Sequence, residues 1–160
     1  MPTRGRDPDC LVDTSAAVAL LVADHEHHES TFRVLGGRRL GLSGHAVFET
    51  FSVLTRLPVP ARRTPEAVTR LLTTNFPENR YLSAGGATAL LSRLARENLA
   101  GGAVYDALVG AAAVEHRMVL VTRDRRALDT YRALGVEVEF LAERGGGHEP
   151  AGVDPPDPAS

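Results

Sequence analysis

Short apolar runs recur along the chain between stretches of helical spacing, and this alternation predicts strands and helices in turn. The run CLV at 10–12 predicts a buried strand, followed after Asp13 by Thr14, Ser15 and an alanine-rich helix to about Val22. Asp24 is placed to cap a second helix over 26–35, ended by Gly36 and Gly37. A second short strand follows at 40–42. Ser43 is placed to cap a helix over 45–57, which Pro58 and Pro60 terminate. Thr64 with Pro65 and Glu66 reads as an N-cap with proline in the first turn, opening a helix to about Thr74. A third strand is expected over 80–82, helices over 87–99 and 103–116, and a buried strand over 118–121. A helix over 125–134, closed by Gly135, precedes a last strand at 136–141.

Strands that alternate with helices imply crossovers onto a mostly parallel sheet covered on both faces. The expected fold class is therefore α/β, a three-layer α/β/α domain with a central sheet of four to five strands. With 160 residues and 43% hydrophobic content there is material for one core. Residues 10–142 are expected to form it, with a flexible N-terminus at 1–9 and a disordered Gly/Pro-rich tail at 143–160.

Charge and composition narrow the function. A net charge of −2 excludes a polycation that grips nucleic acid by bulk attraction, so any such partner is engaged locally. The single cysteine, Cys10, cannot form an internal disulfide and reads as a small buried hydrophobe. All 18 basic residues are arginine, which excludes chemistry that needs a lysine, such as a P-loop or a Schiff base. The apolar stretch after Arg4 and Arg6 resembles a signal peptide only superficially, because Asp7, Asp9 and Asp13 interrupt it. A cytoplasmic protein without a membrane partner is expected.

In an open parallel sheet the functional crevice lies beyond the carboxyl ends of the strands, and two acids fall there: Asp13 in LVDTS and Asp124 in LVTRD. Each could instead cap the helix that follows it. Glu49 and Asp106 stand in the opening turns of otherwise apolar helices, SGHAVFETFSVL and YDALVGAAAVEH, where either could also pair with a buried arginine. Four carboxylates in one crevice would repel each other by about 4 kcal/mol per pair at 4 Å under an effective dielectric near 20. A divalent cation removes that cost, and an all-oxygen donor set favours Mg²⁺ or Mn²⁺ over zinc. Hydrolysis of a phosphodiester is the reaction such a centre suits.

LVDTS, then Glu49 followed by SVLTRLP, then YDALVGAAAVEH, then LVTRD closely resemble the PIN-domain ribonucleases, especially toxins of the VapC type, over about 11–141. By that resemblance the family's acidic quartet falls on Asp13, Glu49, Asp106 and Asp124, its small hydroxyl on Ser15, and its hydroxyl two residues before the last acid on Thr122. The resemblance implies Mg²⁺ or Mn²⁺ dependence, RNA as substrate, a homodimer, and neutralisation by a small VapB-type antitoxin. Asp13, Asp106 and Asp124 are then the main metal ligands and Glu49 a ligand or water-orienting base, with Asp129 a secondary candidate. Arg123, Arg125 and Arg126 flank the last acid, and Arg56, Arg62 and Arg63 follow the Glu49 helix. Of these, Arg56, Arg123 and Arg126 are the expected RNA contacts, against a plain reading as solvated loop charges. Three tyrosines, five phenylalanines and no tryptophan do not support extensive base stacking.

Other groupings carry less. His25, His27 and His28 include neighbours on different helix faces with no cysteine among them, and read as solvated or partner-facing. Glu115 reads as an ordinary helix-surface charge. LVDTS also resembles the start of a haloacid-dehalogenase phosphatase motif, but that family expects an acid where Ser15 stands. A catalytically silent module that only docks an antitoxin is the remaining alternative.

Overall fold

The computed structural model describes residues 7–143. Three of its strands, β1 (Cys10–Val12), β2 (Leu40–Leu42) and β3 (Leu120–Thr122), are three residues long and buried at every position. That is what continuous apolar runs become when both faces of a sheet are covered. A fourth strand, β4 (Val138–Phe140), is half-buried, and the sheet order is β2-β1-β3-β4 with every pair parallel. The layers around it are α1 (Thr14–Leu21), α2 (His28–Leu35), α3 (Ala46–Thr55), α4 (Pro65–Asn75), α5 (Ala84–Arg96), α6 (Ala103–Glu115) and α7 (Leu128–Ala133), the last entered through a 3₁₀ turn, Arg125–Ala127.

Leu11, Val12, Leu42, Leu120 and Val121 are fully buried in the sheet, against Ala16, Ala17, Leu35, Leu54 and Ala113 from the helices. Small residues on the covering helices let the backbones approach closely. At Gly110 a Cβ would stand 3.0 Å from Val136 and 3.1 Å from Tyr131, so the absence of a side chain seats α6 against α7. Cys10 lies in this core, where burial pushes its thiol up to about 11 and leaves it unreactive.

Several expected boundaries move, each for a local reason. The second helix begins at His28 rather than Glu26, and Asp24 does not cap it. Turns occupy the intervening residues, where the His27 N–H donates to His25 Nδ1 (3.1 Å) and the His28 N–H to the His25 carbonyl (2.9 Å). Ser43 does not cap the third helix either, because its hydroxyl donates to the Val109 carbonyl (2.7 Å) and ties the end of β2 to α6. The strand expected at 80–82 reduces to a single bridge between Ser43 and Arg80. Side chains take over that edge: the Asn79 amide oxygen accepts from the Leu42 N–H (2.8 Å), and the Arg80 guanidinium reaches Asp7 and Glu78. The fifth helix starts three residues earlier than the periodicity suggests, at Ala84, because Ser83 caps it (3.0 Å to the Gly86 N–H). Gly85 and Gly86, poor helix formers, mask that first turn in the sequence.

At the amino end, Asp9 exchanges hydrogen bonds with Arg39 (2.7 Å each) and Asp7 pairs with Arg80, so residues ahead of the expected strand are tied to the fold. The rest of the segment expected to be flexible, 1–6, and the tail from 144 onward lie outside the described residues.

Candidate active site

The chain runs outward from β1 to β2 on one side and places β3 on the other, so the carboxyl ends of β1 and β3 flank the point where strand order reverses. That point is where an open parallel sheet leaves a crevice. Asp13 follows β1 directly, its N–H bonded to the Val121 carbonyl of β3 (3.1 Å). Its backbone is extended, and its carboxylate caps α1 by accepting from the Ala16 N–H (3.1 Å). The same carboxylate also accepts from the Ser15 hydroxyl (2.6 Å) and, on its other oxygen, from the Tyr131 hydroxyl (3.0 Å). Asp13 is only 4% exposed. Burial pushes its pKa up, and the hydrogen bonds from Ser15, Ala16 and Tyr131 act against that rise.

Ser15 and Thr122 connect the two strand ends. The Ser15 hydroxyl lies 3.3 Å from that of Thr122 and accepts from the Arg123 N–H (2.8 Å), while Thr122 accepts from the Asp124 N–H (3.0 Å). Asp124 in turn caps the 3₁₀ turn, accepting from the Arg126 N–H (2.9 Å) and, at 3.3 Å, from its guanidinium Nε. Capping and site-building are thus the same act for both aspartates. A residue that must stay extended at a strand end, with its carboxylate over a helix start, is held in one rotamer.

Glu49 in the first turn of α3 accepts from the Thr14 hydroxyl (2.9 Å), and Asp106 stands in the first turn of α6. The four acids, from four separate elements, line one cleft of about 170 Å³ together with Thr14, Ser15, Val109 and Tyr131. Asp106 registers the crowding. Its burial, then the charges of Asp124, Asp13 and Glu49, push its carboxyl up to about 6, with Arg126 acting weakly the other way. Tyr131 is pushed far upward by burial and by Asp13 and Asp106, so it remains a phenol that donates.

Because the folded-state pKa of Asp106 lies above its ordinary value, the stability tied to its neutral form is complete below about 4 and is lost as pH rises through about 6. Asp106→Asn is therefore expected to stabilise the metal-free protein by about 1–2 kcal/mol at pH 7, after allowance for solvent, and by almost nothing near pH 4. Melting temperatures across that range in chelator test this; a gain that does not vary with pH would refute it.

Among the described residues, no three of the Asp, Glu, His and Cys side chains are arranged as a ready-made metal cage. Asp13, Glu49 and Asp124 each rest on their own protein donor. The donor set nonetheless suits a hard dication, since Mg²⁺ is commonly held by one or two carboxylates directly and keeps its remaining waters.

Other sequence candidates lie elsewhere. Asp129 is outside the cleft lining and pairs with Arg132 (2.9 Å). Arg126 is close, but its Nε is engaged by Asp124. Arg123 points away from the acids toward Thr31 of α2 (3.4 Å). Arg56, exposed at the end of α3, does not line the cleft. Glu115, read as a surface charge, accepts from the Ser83 N–H (2.8 Å) and hydroxyl (2.6 Å) and ties α6 to α5. Two cleft residues carried no signal as site residues: Tyr131, whose apolar helical setting predicts core, and Thr14, hidden between Asp13 and Ser15.

The PIN domain family model matches residues 10–133. The chain is 48% identical over 135 residues to "Ribonuclease VapC27" of Mycobacterium tuberculosis, a match covering 84% of this chain and 98% of that protein. It is 44% identical over 131 residues to "Ribonuclease VapC40" of the same organism, covering 81% and 96%. Among solved structures, that of M. tuberculosis VapC20, described as a sarcin-ricin loop cleaving toxin, superposes with a TM-score of 0.60 at 21% identity, over 74% of this chain and 92% of the other. The VapBC2 complex of Rickettsia felis, bound to a fragment of its promoter DNA, does so with a TM-score of 0.59 at 15% identity, over 82% and 97%. At those identities the likeness speaks for the fold.

Proposed function

The chain belongs to the PIN-domain family, and on that footing we propose that it is a VapC-type endoribonuclease, the toxin of a VapBC-type pair, working with Mg²⁺ or Mn²⁺. The observation that carries the chemical part is the cleft itself: four carboxylates from four elements, with Asp106 displaced upward by the charges of the other three. Asp13, Asp106 and Asp124 would hold the ion, with Glu49 as a further ligand or as the base that orients water. When bound, the metal supplies charge neutralisation at the scissile phosphate and an acidified water.

The chain's own groups do the rest. Tyr131 and Ser15 fix both Asp13 oxygens, so its carboxylate does not have to reorganise when an ion or phosphate arrives. Thr122 holds the Asp124 N–H and so fixes the turn that carries the last acid. Thr14 occupies one Glu49 oxygen and leaves the other for a water or ion. Val109 presents an apolar wall, which strengthens electrostatic interactions in the cleft. The quartet's role, the metal, the RNA substrate, a homodimer and a cytoplasmic location belong to this proposal, as do 10–142 as the nuclease unit and a small VapB-type antitoxin as partner. VapBC and FitAB complexes among the structural neighbours support the antitoxin partner.

The direct test is incubation of the purified full chain with RNA in Mg²⁺ or Mn²⁺ and in chelator, with sequencing of the 5′ ends produced. Metal-dependent, site-selective cleavage is expected, and its absence with both metals would refute the reading. Tyr131→Phe is expected to lower metal affinity or cleavage by about 10- to 100-fold while the protein stays folded. A wild-type rate and metal titration in that variant would show that Tyr131 serves packing alone.

A further inference from the structure

On the other side of the Thr122–Asp124 turn from the acids lies a second cavity of about 160 Å³, lined by His27, Arg123, Arg125, Phe140, Leu141 and Glu143. We propose that it is a phosphate-binding pocket that takes a backbone phosphate of the RNA next to the one being cut. The substrate half of this proposal rests on the nuclease reading; the anion half does not.

The Arg123 guanidinium is the first ground. Among the described residues its Nε is buried without a hydrogen-bond partner, and its guanidinium makes one hydrogen bond, the long 3.4 Å one from Nη1 to Thr31. The Thr31 hydroxyl is committed as donor to the His27 carbonyl (2.7 Å) and offers Arg123 only a lone pair. A buried cationic donor without an acceptor is costly, and most such groups in folded proteins find one. That atom is closed to solvent in this conformation, so an oxyanion in the cavity would supply the acceptor as the guanidinium turns toward it.

Arg125 is the second ground. Its guanidinium carbon lies 5.3 Å over the centre of the Phe140 ring, and among the described residues its N–H groups have no acceptor, which leaves them for a ligand. Among the described residues it makes no ion pair. One carboxylate, Glu143, also lines the cavity, 3.5 Å from His27 Nε2. Two guanidiniums against one carboxylate leave a single positive charge, which matches a phosphodiester. The volume is several times the ~30 Å³ share of one liquid water, room for a tetrahedral oxyanion with some hydration.

Location is the third. Arg123 and Arg125 bracket Asp124 in sequence, and the Arg123 N–H is bonded to the Ser15 hydroxyl that also holds Asp13. A strand of RNA seated with one phosphate at the acids therefore has a second phosphate site attached to the same turn. Phosphate contacts of this kind set register rather than sequence preference.

The test uses the full chain in two arms. In metal-free buffer, inorganic phosphate is titrated while the Arg123 Nε–H resonance is followed by NMR. A saturable shift at millimolar phosphate, lost in Arg125→Gln, is expected. In Mg²⁺ or Mn²⁺, Arg125→Gln and Arg123→Lys are expected to raise KM for RNA about tenfold with kcat within about twofold. Arg125→Gln, which removes a charge, should also lower the salt dependence of binding by about one counterion, whereas the charge-conserving Arg123→Lys should leave that slope close to wild type. Arg132→Gln, on α7 outside the cavity, should change none of these. Arg125 is exposed, so its variant folds even where Arg123→Lys does not. An unmoved Arg123 resonance, or an unchanged KM and salt slope in Arg125→Gln, overturns the pocket while the acidic cleft stands. Saturable phosphate binding in a chain that cuts no RNA would uphold the anion site and overturn the nuclease reading.

Discussion

Asp13→Asn is expected to reduce RNA cleavage by about a thousandfold, the several kcal/mol that a metal-holding carboxylate contributes to charge stabilisation in such a centre. The fold should survive, because asparagine can keep the contacts that Asp13 makes. Its amide oxygen can accept from the Ala16 N–H and the Ser15 hydroxyl, and its NH₂ can donate to the Tyr131 oxygen once that hydroxyl rotates. Loss of a fully buried charge should even raise the melting temperature of the metal-free protein at neutral pH, since burial acts against the ionised form of Asp13. Two readouts separate chemistry from structure. The variant should melt no lower than wild type in chelator, and the upward shift in melting temperature that Mg²⁺ or Mn²⁺ gives the wild type should be lost or much reduced. A cleavage rate within a few-fold of wild type would remove Asp13 from the centre.

The second large effect falls on a residue outside the cleft lining. Gly41→Ala is expected to destabilise the protein by about 3 kcal/mol or more, lowering its melting temperature by roughly 10 °C. Gly41 is the middle residue of β2, and a Cβ there would stand 2.0 Å from the Glu78 carbonyl oxygen, 2.6 Å from its carbon and 3.0 Å from the Leu11 side chain. Backbone atoms cannot rotate away as a side-chain tip can. The segment that would have to move carries Asn79 and Arg80, whose bonds to Leu42 close that edge of the sheet. A thermal or urea melt decides it, and a melting temperature within about 2 °C of wild type would show that the edge yields freely. Activity per folded molecule should be little changed, because β2 contributes no residue to the cleft lining.

Most of the cleft was legible before any fold was known, because its acids sit where an apolar pattern has no use for a charge. Asp13 and Asp124 end buried runs, and Glu49 and Asp106 open apolar helices. Capping and site-building proved compatible, as both aspartates do each. Tyr131 and Thr14 were not legible. The hydroxyl of Tyr131 meets Asp13 across 118 residues of sequence, and nothing in the helical pattern of α7 marks one ring position as facing a carboxylate. Where Arg123 points was not legible either: successive residues around a turn point apart, and its guanidinium lines the neighbouring cavity rather than the acidic cleft.

By itself, the sequence determined the fold class, the order of strands and helices, and the four acids that line the cleft. These follow from local periodicity and from the cost of burying a charge, which act within a few residues. Only the tertiary structure decided which helices begin where, that Asn79 and Arg80 close an edge in place of a fifth strand, which hydroxyls hold the acids, and on which side of the last turn each arginine falls. Those outcomes depend on donors and acceptors far apart in the chain, and their partners are chosen only when the layers pack.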